Sequence, residues 1–143
     1  MLLGQGSAAL PELLIDRVLN DPDERVRANA IEVIDQRHDP QYLPLLSRIA
    51  RSHHNRERAN AIKALHAMRV GTAAPQLIAM LRDPRPEHRI SALWALRQVG
   101  LWQMLREVAR LAKTDSDTRV RRYALGVIRT IAADVEQRKG KTA

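Results

Sequence analysis

The chain has 143 residues, of which 45% are apolar, and this suits one domain or one continuous stack of repeats. It contains no cysteine, so disulfides, thiolate metal sites and cysteine nucleophiles are excluded. Aromatic residues make up only 3%, and Ala, Leu, Ile and Arg dominate, which favours helices over strands. The N-terminal segment lacks the charged start of a secretory signal, and no apolar run approaches the roughly 18 residues of a membrane span. We therefore expect a cytoplasmic all-α protein without membrane insertion.

The net charge of +8 is distributed unevenly along the chain. Residues 1–39 hold eight acids and four bases (−4), residues 40–113 hold four acids and thirteen bases (+9), and residues 114–143 hold four acids and seven bases (+3). A basic middle and end can attract nucleic acid, acidic peptides or an anionic membrane surface through long-range fields. An Arg- and Ala-rich genome gives the same composition without a functional reason, so charge leaves both interpretations open.

One sequence pattern occurs four times along the chain, starting at Asp21, Ser52, Asp83 and Asp115, which are 31, 31 and 32 residues apart. Each copy has a small residue, a large aliphatic residue directly after it, and a second large aliphatic residue three positions beyond the first. This spacing places them on one face of a helix, where the small residue allows a neighbouring backbone to approach. The small residues are Ala30, Ala61, Ala92 and Ala124. We call these helices the B helices and predict them near 21–37, 52–70, 83–99 and 115–134.

The B helices have predicted N-caps, and shorter apolar runs lie between them. Asp and Ser are good N-cap types, so the first residue of each copy is predicted to cap its helix, with Pro22 and Pro84 at the first helical position. The runs 10–19, 41–50, 72–81 and 101–112 are predicted as A helices. Each A helix can cover its own B helix, giving a single repeat domain over residues 1–137 and a polar basic tail over 138–143.

The stretches from Asp21 to Ile34 and from Asp115 to Ile128 resemble the short HEAT-like repeats first described in phycobilisome lyases. The family pattern is an acidic turn residue, Val-Arg, an Ala pair and a Leu or Ile, and these two stretches match it best. The resemblance implies a right-handed α-solenoid of about four HEAT-like helical hairpins, and it is specific for fold but not for activity. The pattern is broken at Ser52, Glu57 and His88, so we expect the second and third repeats to be the specialised ones.

In HEAT-like proteins the turn acid and the Arg six residues later form a hydrogen-bonded ladder between neighbouring repeats. The resemblance therefore implies a structural role for four pairs: Asp21 with Arg27, Ser52 with Arg58, Asp83 with Arg89, and Asp115 with Arg121. Glu57 and His88 occupy the same position in successive repeats, and we expect them to hydrogen-bond to each other.

The outward face of the B helices is the candidate binding surface, because the resemblance places it on the concave side of the solenoid. The candidate partner-binding residues are Lys63, Trp94, Arg97, Arg119, Arg122, Tyr123 and Arg129. Trp94 is the strongest of them, since a large outward aromatic residue is a common hot spot. The alternative is that Trp94 packs into space left by Gly126, which occupies the same position one repeat later.

The motifs indicate no catalysis. The sequence has no Gly-rich phosphate loop, nucleophile elbow or metalloprotease His pair, and no local spacing around His53 supplies a metal site, so we expect no cofactor and no metal. The favoured function is a non-enzymatic protein-interaction or scaffold module for a protein or acidic peptide. The alternatives are nucleic-acid backbone binding by the Arg-rich face, with HEAT-like DNA glycosylases as a remote analogy, and a purely structural segment of a larger solenoid.

Both ends of the chain resemble cut repeats. The turn from Leu2 to Gly6 looks like the end of a B helix, and the apolar run that follows lacks the polar face of a capping repeat. We therefore expect a fragment of a longer solenoid or protein. The alternative is a short protein that self-associates through an exposed terminal repeat.

Overall fold

The computed structural model describes residues 16–142, and within this range the chain is helical with no strand. Residues 16–19 are helical, whereas the rest of the predicted first A helix and the predicted turn from Leu2 to Gly6 lie outside the described residues. Seven further helices follow: α1 (Glu24–Arg37), α2 (Leu43–Ile49), α3 (Asn55–Ala67), α4 (Ala73–Leu81), α5 (Pro86–Val99), α6 (Leu105–Thr114) and α7 (Thr118–Thr142). Short 3-10 turns, Pro40–Tyr42 and Trp102–Met104, precede α2 and α6.

The helices form a stack of hairpins. The B helices α1, α3, α5 and α7 pack side by side in that order, and the A helices α2, α4 and α6 each pack on the B helix that follows. We call the contact between successive repeats a joint. This arrangement confirms the predicted all-α solenoid. α7 continues through Thr142, so the segment predicted as a tail is part of this helix.

The small residues of the repeat lie where the joints require them. Ala61, Ala92 and Ala124 are fully buried between helices, as are the aliphatic residues Ile62 and Leu93 that follow the first two. Burial of these aliphatic side chains supplies the main favourable contribution to folding, about 25 cal/mol for each Å² of apolar surface removed from water. The 31-residue repeat thus corresponds to one continuous apolar core.

Each B helix begins three residues later than predicted. α1 begins at Glu24 with Asp23 as its N-cap, and the Asp23 carboxylate accepts from the Arg25 amide. Asp21 instead accepts from the Asp23 amide at 2.8 Å, so it orders the turn before the helix. Pro22 therefore lies in this turn and not at the first helical position.

The same turn precedes the other B helices. Ser52 accepts from the His54 amide at 3.0 Å, Asp83 from the Arg85 amide at 2.9 Å, and Asp115 from the Asp117 amide at 2.9 Å. A short oxygen-bearing side chain commonly bonds the backbone two residues on, which explains why Asp or Ser occupies this position without being the cap. Pro84 lies in the third turn, while Pro86 begins α5.

Candidate functional site

A ladder of arginines runs through the joints and holds the B helices in register. Arg27, Arg89 and Arg121 each donate to the backbone carbonyl of the turn residue six positions earlier, at 2.6, 2.8 and 2.6 Å. Each arginine therefore ties the first turns of its helix to the loop that precedes it. Within one repeat, the arginine therefore donates to the backbone carbonyl of the turn residue and not to its carboxylate.

The carboxylates of the ladder come from the following repeat. Arg58 donates to Asp83 Oδ2 at 2.7 Å, and Arg89 makes two hydrogen bonds to the Asp115 carboxylate, at 2.8 and 2.9 Å. The latter pair is buried on both sides, and paired guanidinium–carboxylate contacts of this kind are both strong and directional. The ladder thus joins each repeat to the next through one charged pair.

The second repeat supplies its carboxylate from a different position. Ser52 has no charge to offer Arg27, and Arg27 Nε donates instead to Glu57 Oε1, which lies in the first turns of α3. The Ser52 hydroxyl lies 3.4 Å from the other oxygen of Glu57. The two departures from the repeat pattern therefore compensate each other: the acid has moved from the turn into the helix.

The prediction that Glu57 and His88 hydrogen-bond to each other is wrong. His88 Nδ1 lies 3.2 Å from the Arg58 guanidinium and Nε2 lies 3.0 Å from the carbonyl oxygen of His53. Because Arg can only donate, Nδ1 accepts and Nε2 carries the proton, so the imidazole is neutral. Burial of the ring lowers the pKa of His88, with the nearby guanidinium groups acting in the same direction.

The ladder carboxylates are held in the ionised form. The hydrogen bond from Arg85 is the largest influence on the Asp83 carboxyl and holds its pKa well below the ordinary value. Burial by itself raises the pKa of Asp115, but the hydrogen bonds from Arg89 and from the Asp117 amide outweigh burial, and the pKa of Asp115 is lowered. The pairs Arg58–Asp83 and Arg89–Asp115 are therefore charged throughout the neutral range.

On the outward face, Lys63 and Trp94 contact each other across the joint between α3 and α5. Lys63 Nζ lies 5.4 Å from the centroid of the Trp94 ring and 3.4 Å from Asp35 Oδ2. The indole is half-buried and packs on the edge of the core. A Cβ atom built on Gly126 would meet nothing within 4 Å, so Trp94 does not fill the space beside that glycine.

The basic residues of this face differ in how they are engaged. Arg119 pairs with Asp117 at 2.8 Å and with Glu87 at 3.3 Å. The others, on α5 and α7, are exposed and have no ion pair within residues 16–142, and Tyr123 lies half-buried beside them against the core. These exposed residues are Arg97, Arg122 and Arg129.

Sequence reasoning missed Glu57 as a ladder residue and Asp35 as the partner of Lys63. Glu57 could have been found, since an acid in an apolar position coincides with the loss of the acid at Ser52.

Among the described residues, no group of three or more His, Asp and Glu side chains is placed to hold a metal ion. Nor does the described range contain a helix that is long and apolar enough to cross a bilayer.

Comparison with known proteins gives two matches. The family model for HEAT repeats matches residues 11–84, which is more than half of the chain, and a model for a single HEAT repeat matches residues 74–102. A search of curated proteins finds no match. The matched ranges cover the first three B helices with their joints, including the ladder from Arg27 to Asp83.

Proposed function

Because the chain belongs to the HEAT repeat family, we propose that it is a non-enzymatic protein-interaction module whose outward B-helix face binds an extended, acidic protein segment. The proposed surface comprises Lys63, Trp94, Arg97, Arg119, Arg122, Tyr123 and Arg129. One observation carries the proposal: α5 and α7 present exposed arginines without ion pairs in the described range next to two half-buried aromatic side chains.

This combination suits a peptide better than a small molecule. A half-buried ring on a rigid helix offers a large contact area with little loss of conformational entropy, and arginine donates in a planar fork that matches a carboxylate. Lys63 Nζ lies over one face of the Trp94 ring, so a peptide side chain would contact the part of the ring that Lys63 leaves exposed. The arginines then supply orientation and a fast approach through long-range attraction.

Nucleic acid is the weaker candidate, because many arginines of the chain are engaged within the structure. The ladder holds Arg27, Arg58 and Arg89, and an ion pair with Glu107 holds Arg82. Backbone recognition of DNA needs a continuous row of free cations that follows the phosphates. The engaged arginines are not available for such a row.

Fluorescence anisotropy of a labelled, extended peptide rich in Glu and Leu tests the proposal, with a labelled DNA duplex as the competing probe. We expect the peptide to bind, Trp94→Ala to weaken its affinity by about thirtyfold as for a hot-spot residue, and Arg97→Glu to weaken it further at low salt. Arg51→Glu is the matched control, since Arg51 is exposed in the turn between α2 and α3 and the substitution changes the charge equally.

Two results would overturn the proposal. Tighter binding of the duplex, with affinity falling steeply as salt rises and no effect of Trp94→Ala, would favour nucleic acid. Failure of both probes at low salt would favour a purely structural segment.

A further inference from the structure

The C-terminal side of the described stack exposes half of an interior joint. Leu125 of α7 occupies the repeat position of Ile31, Ile62 and Leu93, which are all fully buried by the repeat that follows them. Leu125 itself is 43% exposed, because the described structure has no repeat beyond α7. The repeat position that is buried in the first three B helices is therefore exposed to solvent in α7.

The ladder ends at the same place. Arg27, Arg58 and Arg89 each reach a carboxylate of the next repeat, whereas Arg121 contacts only its own turn carbonyl and the Thr118 hydroxyl in the described range. Within residues 16–142, the guanidinium of Arg121 has no carboxylate partner. A basic group and an apolar side chain thus stand together, one turn of helix apart on α7.

The N-terminal side exposes the opposite half of the joint. Val26 and Val33 of α1 are 36% and 50% exposed, whereas Val120 and Val127, which occupy the same repeat positions in α7, are fully buried by the preceding repeat. The Asp21 carboxylate accepts from the Asp23 amide, and no guanidinium of the described residues contacts it. Residues 1–15 contain no Arg or Lys that could do so.

The charges of the two ends are also complementary. Residues 1–39 carry −4 (eight acids, four bases) and residues 114–143 carry +3 (four acids, seven bases). At an interior joint, Asp35 pairs with Lys63 of the next repeat. Arg129 on α7 occupies the repeat position of Asp35, and Glu32 on α1 occupies the repeat position of Lys63. If α7 of one molecule packed on α1 of another, Arg129 and Glu32 would form the equivalent ion pair with the two charges exchanged.

We propose that the C-terminal face of α7 binds the N-terminal face of α1 of a second copy of this chain, continuing the repeat stack from one molecule to the next. Arg121 then donates to Asp21 of the second copy, Leu125 packs on its Val26 and Val33, and Arg129 pairs with its Glu32. The contact joins two different surfaces, so it is head-to-tail and extends into short linear assemblies.

Charge reversal at each side, followed by mixing, tests this proposal. Sedimentation velocity across a concentration series at low ionic strength is expected to show wild-type dimers and longer species. Arg121→Glu and Asp21→Arg are each expected to weaken association about tenfold or more, since like charges then face each other. An equimolar mixture of the two variants should associate again, because Arg121 of one meets Asp21 of the other. Leu125→Asp, which leaves the ladder intact, should also abolish assembly.

Arg97→Glu is the matched control, because Arg97 belongs to the proposed peptide-binding face and lies away from both ends. It should assemble as the wild type does while losing peptide affinity, and Arg121→Glu should do the reverse. A wild-type chain that stays monomeric across the series would overturn the proposal. So would variants that associate as the wild type does, or a mixture that stays monomeric when the wild type associates.

Discussion

Replacing Arg89 by Met is expected to lower the free energy of unfolding by about 3–5 kcal/mol, the cost of removing one partner from a buried ion pair. Arg89 makes two hydrogen bonds to the Asp115 carboxylate and two to the carbonyls of Asp83 and Pro84. Met keeps most of the side-chain volume, so the packing loss is small. The cost arises because the Asp115 carboxylate stays buried without its counter-ion.

Urea denaturation followed by circular dichroism measures this cost, at a protein concentration where the chain is monomeric. Arg121→Met is the matched control: Arg121 occupies the same repeat position, but among the described residues it donates only to a turn carbonyl and a hydroxyl, so we expect a loss of about 1 kcal/mol. The double variant Arg89→Met with Asp115→Asn should recover part of the loss, since no buried charge remains. Equal losses for the two Met variants, or a double variant that loses as much stability as Arg89→Met and Asp115→Asn added together, would show that the buried charge is not the cause.

Three further predictions concern single side chains. His88 is buried in the neutral form with a lowered pKa. The free energy of unfolding should therefore be highest above the unfolded pKa of about 6.5 and should decrease as pH falls toward the pKa of the folded state. Thermal melts between neutral and mildly acidic pH should show this slope, and His88→Gln should reduce it. Gly126→Ala should raise the free energy of unfolding by about 0.5–1 kcal/mol, because Gly126 is inside α7 and an added Cβ meets nothing within 4 Å; a lower melting temperature would contradict this. Asp23→Ala should cost about 0.5–2 kcal/mol through loss of the α1 N-cap, whereas Asp23→Asn keeps the acceptor and should be nearly neutral, and equal losses would argue against the cap.

The repeat could be read from the sequence because one physical requirement recurs at every joint. Close contact between B helices needs a small residue, and Ala61, Ala92 and Ala124 mark that contact in three successive copies. The apolar positions that follow share the same period, and they predict which face of each helix is buried. The fold class and the buried face of the B helices follow from this pattern.

The helix starts and the ladder partners could not be read in the same way. Asp is favoured both as an N-cap and as the first residue of a turn, so the composition at Asp21 does not distinguish the two roles. An arginine six residues after an acid can reach that residue's carbonyl or the carboxylate of the next repeat, and only the geometry of the joint decides. At Glu57 the partner had moved to another element, which a search at fixed spacing overlooks.

Chemical-shift mapping locates the peptide-binding surface residue by residue: isotope-labelled protein is titrated with the extended acidic peptide, and the backbone amides that shift are identified. We expect the shifts to cluster on α5 and α7 around Trp94, Arg97 and Tyr123, and we expect Trp94→Ala to remove most of them. Shifts confined to α2, α4 and α6, or none at saturating peptide, would rule out binding at the outward face of the B helices.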